Sequence, residues 1–292
     1  MVTEKALRFG RESHLVGVLT MPDNISTTAH TAVILLNAGL INHLGPHRVH
    51  VRLARHLAEL GIPCLRFDFS GIGESANATQ LDTASQVSDV ADAIDRLVAD
   101  SVATNFVLFG ICAGAVHGYQ AAVVNERVSG IVLCDGYLYP TWKTKPLFYL
   151  KKITNKASIA AFARRTFRSL VGGKNPGGPA GPVLDYSTGT IPADSYAKGL
   201  ATLERRGAWV AQVITGSYPY LYCYQDQFDE RFRSYRFGER ITTDYLPDAD
   251  HTFMTRALQN QVIELVGRKM QAASHLQAAN APRSTPAPPP SI

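Results

Sequence analysis

The stretch FVLFGICAGAVHGYQAA, Phe106 to Ala122, runs from an apolar segment through Gly110-Ile111-Cys112-Ala113-Gly114 into residues that favour helix. A nucleophile on a sharp strand-to-helix turn needs small neighbours, because backbone and helix must approach closely there; Gly110 and Gly114 fill the two outer positions of G-x-nucleophile-x-G. Such a turn lifts the side chain over the carboxyl edge of a sheet, and the helix N-terminus behind it favours negative charge. Cys112 is thus the candidate nucleophile, with a buried small hydrophobe as its alternative, and the backbone N–H of Ala113 is positioned to meet an oxyanion. The other cysteines, Cys64, Cys134 and Cys223, lie in the apolar runs LGIPCLRFDF, SGIVLCDG and YPYLYCYQ and read as inert strand residues. No cysteine pair has the C-x-x-C spacing of a zinc site, so neither a metal nor a cofactor is expected.

A thiol nucleophile needs a base, and the base needs an orienting carboxylate. LPDADHTFMTRALQ, Leu246 to Gln259, puts His251 in a short loop between a strand and a helix, which would bring it to the same sheet edge. His43, His47 and His50, clustered in one loop, are weaker candidates. For the acid, YPYLYCYQDQFDERF offers Asp226 directly after an apolar run, with Asp229 behind it. Asp135, after Cys134, is the alternative, since it also leaves the carboxyl end of a strand. Asp248 and Asp250 lie too near His251 in the chain to reach its far ring nitrogen. The small-residue turn in LLNAGLINHLGPHR offers Gly39 as the second oxyanion donor, with Leu40 next to it. The expected chemistry is acyl transfer through a thioester on Cys112, with Asp226 orienting His251. Water then releases the acyl group, or an amine or alcohol takes it.

These residues need a parallel sheet with its carboxyl ends at one edge. Strands are expected at Lys5–Phe9 and Leu15–Leu19, then at Thr31–Gly39, Pro63–Phe69, Asn105–Phe109 and Val128–Cys134, the later ones as continuous apolar runs. Helices are expected between them, over His47–Leu60, Ala84–Ala99 and Ala113–Asn125. Alternating strands and helices imply an α/β fold with crossover helices on both faces of a mostly parallel sheet. The alternation breaks after Asp135, then resumes with strands at Tyr218–Tyr224 and Ile241–Leu246 and a last helix over Thr252–Gln271. Residues 1–136 and 218–272 therefore read as the core, residues 137–217 as a partly helical cap insertion, and the Pro/Ala-rich residues 273–292 as a disordered tail.

The chain of 292 residues carries a net charge of +5, unevenly placed: Lys143 to Lys174 holds nine Lys or Arg and no acidic residue. One or two basic helices are expected over Leu147–Leu170, with Gly172–Pro182 a loop. Over a catalytic site, this basic stretch could meet a phosphopantetheine arm, a CoA phosphate, an acidic carrier protein or anionic lipid, or be a solvated face with no partner. Tyr137, Tyr139, Trp142 and Phe148 would line the pocket below it. No groove-reading motif points to nucleic acid. No apolar run is long enough to span a bilayer, and MVTEKALRFG has no signal-peptide core, so the expected compartment is cytoplasmic.

Taken together, NAG after one strand, RFDFSGIGES (Arg66–Ser75) after the next, GICAGA, QDQFD and ADHTF resemble an α/β-hydrolase across Thr31–Gln271. RFDFSGIGES resembles the D-x-x-G-x-G-x-S turn of serine-aminopeptidase-like hydrolases. The N-A-G…G-P-x-R stretch with a cysteine elbow looks closest to hydrolases associated with exosortase gene clusters. The resemblance implies an esterase or thioesterase with a Cys-His-Asp triad. A cysteine at the elbow is also similar to dienelactone hydrolases and polyhydroxyalkanoate synthases. Two departures stand out: Asn37-Ala38 replaces the usual His-Gly before the oxyanion loop, and Cys112 replaces serine. An acyltransferase, or a non-hydrolytic enzyme or binding protein on the same fold, would keep the architecture without this chemistry.

Overall fold

Period-two side-chain alternation and continuous apolar runs place the strands, and each strand that is apolar on both faces demands helices on both sides. Our computed structural model describes residues 2–23, 29–77, 83–154 and 191–280. Eight strands form one sheet: β1 (Val2–Phe9), β2 (Leu15–Pro22), β3 (Ala29–Leu36), β4 (Cys64–Asp68), β5 (Ala103–Ile111), β6 (Val128–Cys134), β7 (Trp209–Thr215) and β8 (Ile241–Leu246). Their spatial order is β1-β2-β4-β3-β5-β6-β7-β8. The β1–β2 and β2–β4 pairs are antiparallel, and every pair from β4 to β8 is parallel. The expected mostly parallel α/β sheet is therefore present.

Helices α1 (Val49–Glu59), α2 (Thr83–Ala99), α3 (Ala113–Val124), α4 (Thr144–Thr154), α5 (Ala193–Arg205), α6 (Gln227–Arg231) and α7 (Arg256–Asn280) surround it. Alternation along β3 divides the core. Ile34 and Leu36 pack on one face with Ile94 of α2, Tyr119 of α3 and Leu200 of α5. Val33 and Leu35 pack on the other with Leu53 of α1 and Val262 of α7. Helix α3 is apolar nearly all round, and it is buried along most of its length beside β3, β5 and β6.

Three expectations need correction. Residues 193–215 are core, not cap: β7 is buried at every residue between β6 and β8, and α5 packs on α3. The departure from alternation thus covers residues 137–192. WVAQVIT is a further strand; its polar Gln212 interrupts the apolar run in the sequence, but inside the fold its Oε1 accepts a hydrogen bond from Tyr196 Oη at 3.1 Å. Conversely, Tyr218–Tyr224 is not a strand. It turns back on itself through bonds from Leu221 N and Tyr222 N to Tyr218 O, and the Gln227 side chain bonds Cys223 N and Leu221 O across it. Finally, α7 continues to Asn280, past the expected end at Gln271, so the stretch read as tail begins as helix. The expected basic helix matches α4 as far as Thr154; its continuation to Leu170, the loop Gly172–Pro182 and the last twelve residues lie outside the described residues.

Candidate active site

The turn at Cys112 is built by exclusion. A Cβ at Gly110 would fall 2.2 Å from the Gly114 carbonyl oxygen, and one at Gly114 would fall 2.5 Å from the Asn37 carbonyl oxygen. Only glycine lets β5 turn directly into α3 while α3 starts against the end of β3. Cys112 takes the strain, with φ 57° and ψ −120° at the N-cap of α3. A non-glycine residue at positive φ is costly and persists only where the surroundings hold it. Here Cys112 N donates to Cys134 O at 2.9 Å, and Cys112 O accepts from Ala115 N and Val116 N. The thiol is half-buried, while Cys64, Cys134 and Cys223 are buried, as expected.

His251 follows β8 and stands near Cys112, whose sulfur favours the charged form of its ring. Its backbone N–H donates to Ser217 Oγ at 2.7 Å, and Tyr218 packs edge-on against its ring with centroids 5.1 Å apart. The other ring nitrogen, Nδ1, lies 2.8 Å from Asp135 Oδ2. The Asp135 side chain is fully enclosed, and it also accepts from Thr215 N at 2.8 Å and Thr215 Oγ1 at 2.6 Å. Asp135 itself has φ 49°, a second strained residue at a strand end.

The structure therefore pairs His251 with Asp135 rather than Asp226. Asp226 is exposed at the N-cap of α6, and Asp229 is exposed within that helix. The reason is topological: β7 ends at Thr215, and the Tyr218–Tyr224 turns carry the chain away before Asp226. The loop after β6 lies beside β7, so Asp135 meets both Thr215 and His251.

Charge in this group is well defined for the histidine. Burial works against the imidazolium, but the Asp135 carboxylate and the Cys112 sulfur outweigh it and raise its pKa to about 9. His50, by contrast, is completely buried, with both ring nitrogens unpartnered, and burial drives its pKa down to about 3. It is a neutral core residue. His47 is exposed, and neither is near the role of a base.

Gly39 sits in the loop after β3 with φ 60° and open space beyond its Cα, and Ala113 opens α3. Both residues follow the carboxyl ends of β3 and β5, which are neighbours in the sheet. A brace that sequence reading missed holds this loop. Asn37 Nδ2 donates to Asp68 Oδ1 at 2.9 Å and to Ile41 O at 2.8 Å, while Asn37 Oδ1 accepts from Phe69 N at 2.7 Å. The same buried Asp68 accepts from His43 N, bonds His43 Nδ1 at 2.9 Å, and accepts from Glu74 N at 3.1 Å. Burial would push the Asp68 carboxyl up, but the His43 and Asn37 hydrogen bonds overcome it and hold it below the ordinary range. Gly73, at φ 56°, is required because a Cβ there would meet Asp68 Oδ2 at 2.2 Å, and Ser75 Oγ ties Asp68 O to Val16 N. The signal was an aspartate ending an apolar strand, followed by two glycines.

Of the residues expected to line a pocket, Tyr137 and Tyr139 pack into an aromatic group with Tyr119 and Tyr196. Trp142 is exposed instead. Among the described residues no cluster of His, Cys, Asp and Glu could hold a metal ion, and no helix is long and apolar enough to cross a membrane.

Residues 33–264 match the family described as "Alpha/beta hydrolase family". No match was found among curated protein sequences. Among solved structures, the chain is similar to the Pyrococcus furiosus esterase Pf2001, with a TM-score of 0.59 at 13% identity over 93% of this chain and 91% of that one. It is also similar to an alpha-beta serine hydrolase homologue from Coxiella burnetii, with a TM-score of 0.53 at 16% identity over 91% and 96% of the two chains. The alpha/beta hydrolase GrgF from Penicillium sp. sh18 gives 0.53 at 15% identity over 94% and 98%. At these identities the likeness speaks for the fold.

Proposed function

The chain belongs to the alpha/beta hydrolase family, and we propose that this member cleaves an ester or thioester through an acyl intermediate on Cys112, with His251 and Asp135 completing the triad. The observation that carries the reading is His251 Nδ1 at 2.8 Å from the enclosed Asp135 Oδ2, in a ring whose charged form the nearby Cys112 sulfur also favours. Asp135 fixes which ring nitrogen faces the sulfur, and stabilises the charged ring.

In the proposed reaction the proton of Cys112 resides on His251, and the sulfur attacks the carbonyl carbon. The carbonyl π bond opens to an oxyanion, which meets the N–H groups of Ala113 and Gly39; such a donor contributes about 3–4 kcal/mol in comparable sites. Collapse expels the alcohol or thiol, which takes the proton from His251, and leaves the acyl group on Cys112. Water then gives its proton to His251 as its oxygen attacks the thioester, and the acid departs. The cysteine is what keeps a second acceptor relevant, since an amine or alcohol can attack a thioester in place of water.

Intact-mass spectrometry after mixing the protein with acyl thioesters and aryl esters tests this reading. An acyl adduct is expected on wild type, absent in Cys112→Ala, and decaying in water. Faster decay with an added amine or alcohol would assign transfer instead of hydrolysis. No adduct and no turnover with any donor would overturn the acyl reading.

A further inference from the structure

Where β7 ends, Thr215-Gly216-Ser217-Tyr218 reaches the candidate triad at every residue. Thr215 N and Thr215 Oγ1 donate to Asp135. Gly216 N donates to Leu246 O at 3.0 Å and to Ala249 O at 3.1 Å, and a Cβ on Gly216 would fall on the Pro247 carbonyl oxygen. Ser217 Oγ accepts from His251 N at 2.7 Å. Tyr218 then meets the His251 ring, with centroids 5.1 Å apart and planes at 80°, an edge-to-face contact. Thr215 and Leu246 are partners in the last register of the parallel β7–β8 pair, so the two exit loops start side by side and stay joined as far as His251.

The backbone around His251 is fixed by Ser217 and by the Asp250 carboxylate, which accepts from Thr252 N, Thr252 Oγ1 and Met254 N. The imidazole is another matter. Asp135 Oδ2 holds Nδ1, but one hydrogen bond is a pivot, and a ring can swing about it. The torsion that turns a histidine ring is broad, so its own preference does not set the angle. A flat side chain packed against the ring does, because the swing must push it aside. Tyr218 is itself anchored: its carbonyl accepts from Leu221 N at 2.8 Å and Tyr222 N at 2.9 Å, and Tyr220 packs edge-on against its ring with centroids 6.3 Å apart. Burial, with the Cys112 sulfur and Asp135 carboxylate adding to it, pushes the Tyr218 phenol up to about 12. The side chain beside His251 is therefore neutral, and what it offers is a ring.

We propose that Tyr218 is a positioning residue, whose ring holds the His251 imidazole at the angle where Nδ1 meets Asp135 and keeps the opposite nitrogen directed at Cys112. Its effect on rate rests on the acyl reading above; its hold on the His251–Asp135 pair does not. The tyrosine-rich run gains a reason for its turns, which stop the chain beside His251 instead of carrying it on as a strand.

The Nδ1 proton of His251 reads the hold directly. Lying against the enclosed Asp135 carboxylate, it should give a low-field proton NMR resonance at a pH below 6.5, where even an ordinary histidine is charged. Spectra of the full chain are taken in Cys112→Ala, so the signal needs no acyl chemistry, and its absence in His251→Ala assigns it. Adding Tyr218→Ala should lose the resonance to exchange with water, and Tyr218→Phe should restore it. With Cys112 present, acyl-adduct formation from an aryl ester, followed by intact mass, should slow roughly 10–100-fold in Tyr218→Ala at saturating ester and recover to within a few-fold in Tyr218→Phe. Tyr218→Leu, apolar but without a flat face, should lie between them and carries the test if Tyr218→Ala does not fold. A lowered melting temperature with resonance and rate both kept would make Tyr218 a packing residue and overturn the proposal. A loss in Tyr218→Phe as large as in Tyr218→Ala would overturn it too, since the hydroxyl would then be the acting group. Loss of the resonance in Tyr218→Ala, with no adduct in any form of the chain, would uphold the hold on His251 while the acyl reading fell.

Discussion

Asp135 and His251 stand 116 positions apart in the chain, yet Asp135 Oδ2 lies 2.8 Å from His251 Nδ1. Two strand ends on one sheet edge make the contact, and Thr215 on the intervening strand supplies two further donors to the same carboxylate. The oxygens of Asp135 are thus fixed before any substrate binds. Asp135→Asn puts an amide where Thr215 N and His251 both need an acceptor. The expected loss in kcat is about 10³–10⁴-fold, as for other triad acids, with KM little changed. Asp226→Asn, at an exposed helix cap, should stay within a few-fold of wild type. Steady-state rates for the two variants check the assignment, and comparable losses in both would contradict it.

Cys112 predicts a trade between stability and activity. At φ 57° and ψ −120° its backbone conformation is one that glycine adopts freely. Cys112→Gly should relieve strain of roughly 1–3 kcal/mol, offset in part by glycine's entropy in the unfolded chain. The expected result is a higher melting temperature than wild type with no acyl adduct. Cys112→Ala keeps the Cβ, and should melt near wild type. Calorimetry on the three proteins checks the order; a Cys112→Gly variant less stable than Cys112→Ala would show that the turn is not strained.

The sheet, the elbow and the histidine were legible because each is local. Apolar runs mark buried strands, Gly110 and Gly114 mark a close approach, and His251 sits between a strand and a helix. The acid was not, because its identity depends on which strand precedes the loop. The tyrosine-rich run Tyr218–Tyr224 has strand composition but folds as turns, whereas WVAQVIT carries a polar residue and is a buried strand. Taking the tyrosine run as the strand points to Asp226 and sets the cap boundary at residue 217, whereas in the structure it is Asp135 that meets His251. The Asn37–Asp68 brace was legible only in part: Asp68 followed by Gly71 and Gly73 marks a tight turn, but its partner lies 31 positions away, and neither segment reports the pairing.

That brace predicts a rate effect without contact with substrate. Asn37→Ala removes the donor to Asp68 and the acceptor for Phe69 N, and frees the Ile41 carbonyl on the loop that carries Gly39. Leaving such buried groups unsatisfied costs about 1–3 kcal/mol of stability. If Gly39 donates to the oxyanion, kcat should fall roughly 10–100-fold, less than for removal of a donor itself, while KM changes little. Asn37→Asp should be worse than Asn37→Ala, since it sets a second carboxylate against Asp68. A fall in stability with kcat unchanged would make the brace structural only.

The pH dependence follows from the raised pKa of His251. Relative to an ordinary histidine at 6.5, the folded chain holds this proton to about 9. The stabilising contribution of the charged ring is therefore complete below pH 6.5 and is lost as the pH rises through 9. Melting temperature should decline over that window, and Asp135→Asn should flatten the decline by removing the carboxylate that favours the charged ring. Activity should carry the same signature. In the proposed reaction the competent wild-type form carries the proton on His251, so the rate of acyl-adduct formation should fall above pH 9. Cys112→Ser reverses the requirement, since a hydroxyl needs a neutral ring to take its proton. Its residual rate should rise as His251 deprotonates, at a pH below that of the wild type because the sulfur no longer favours the charge. Adduct formation by intact mass across pH 6 to 10 separates the two profiles; parallel profiles for the cysteine and serine forms would count against the ion-pair reading.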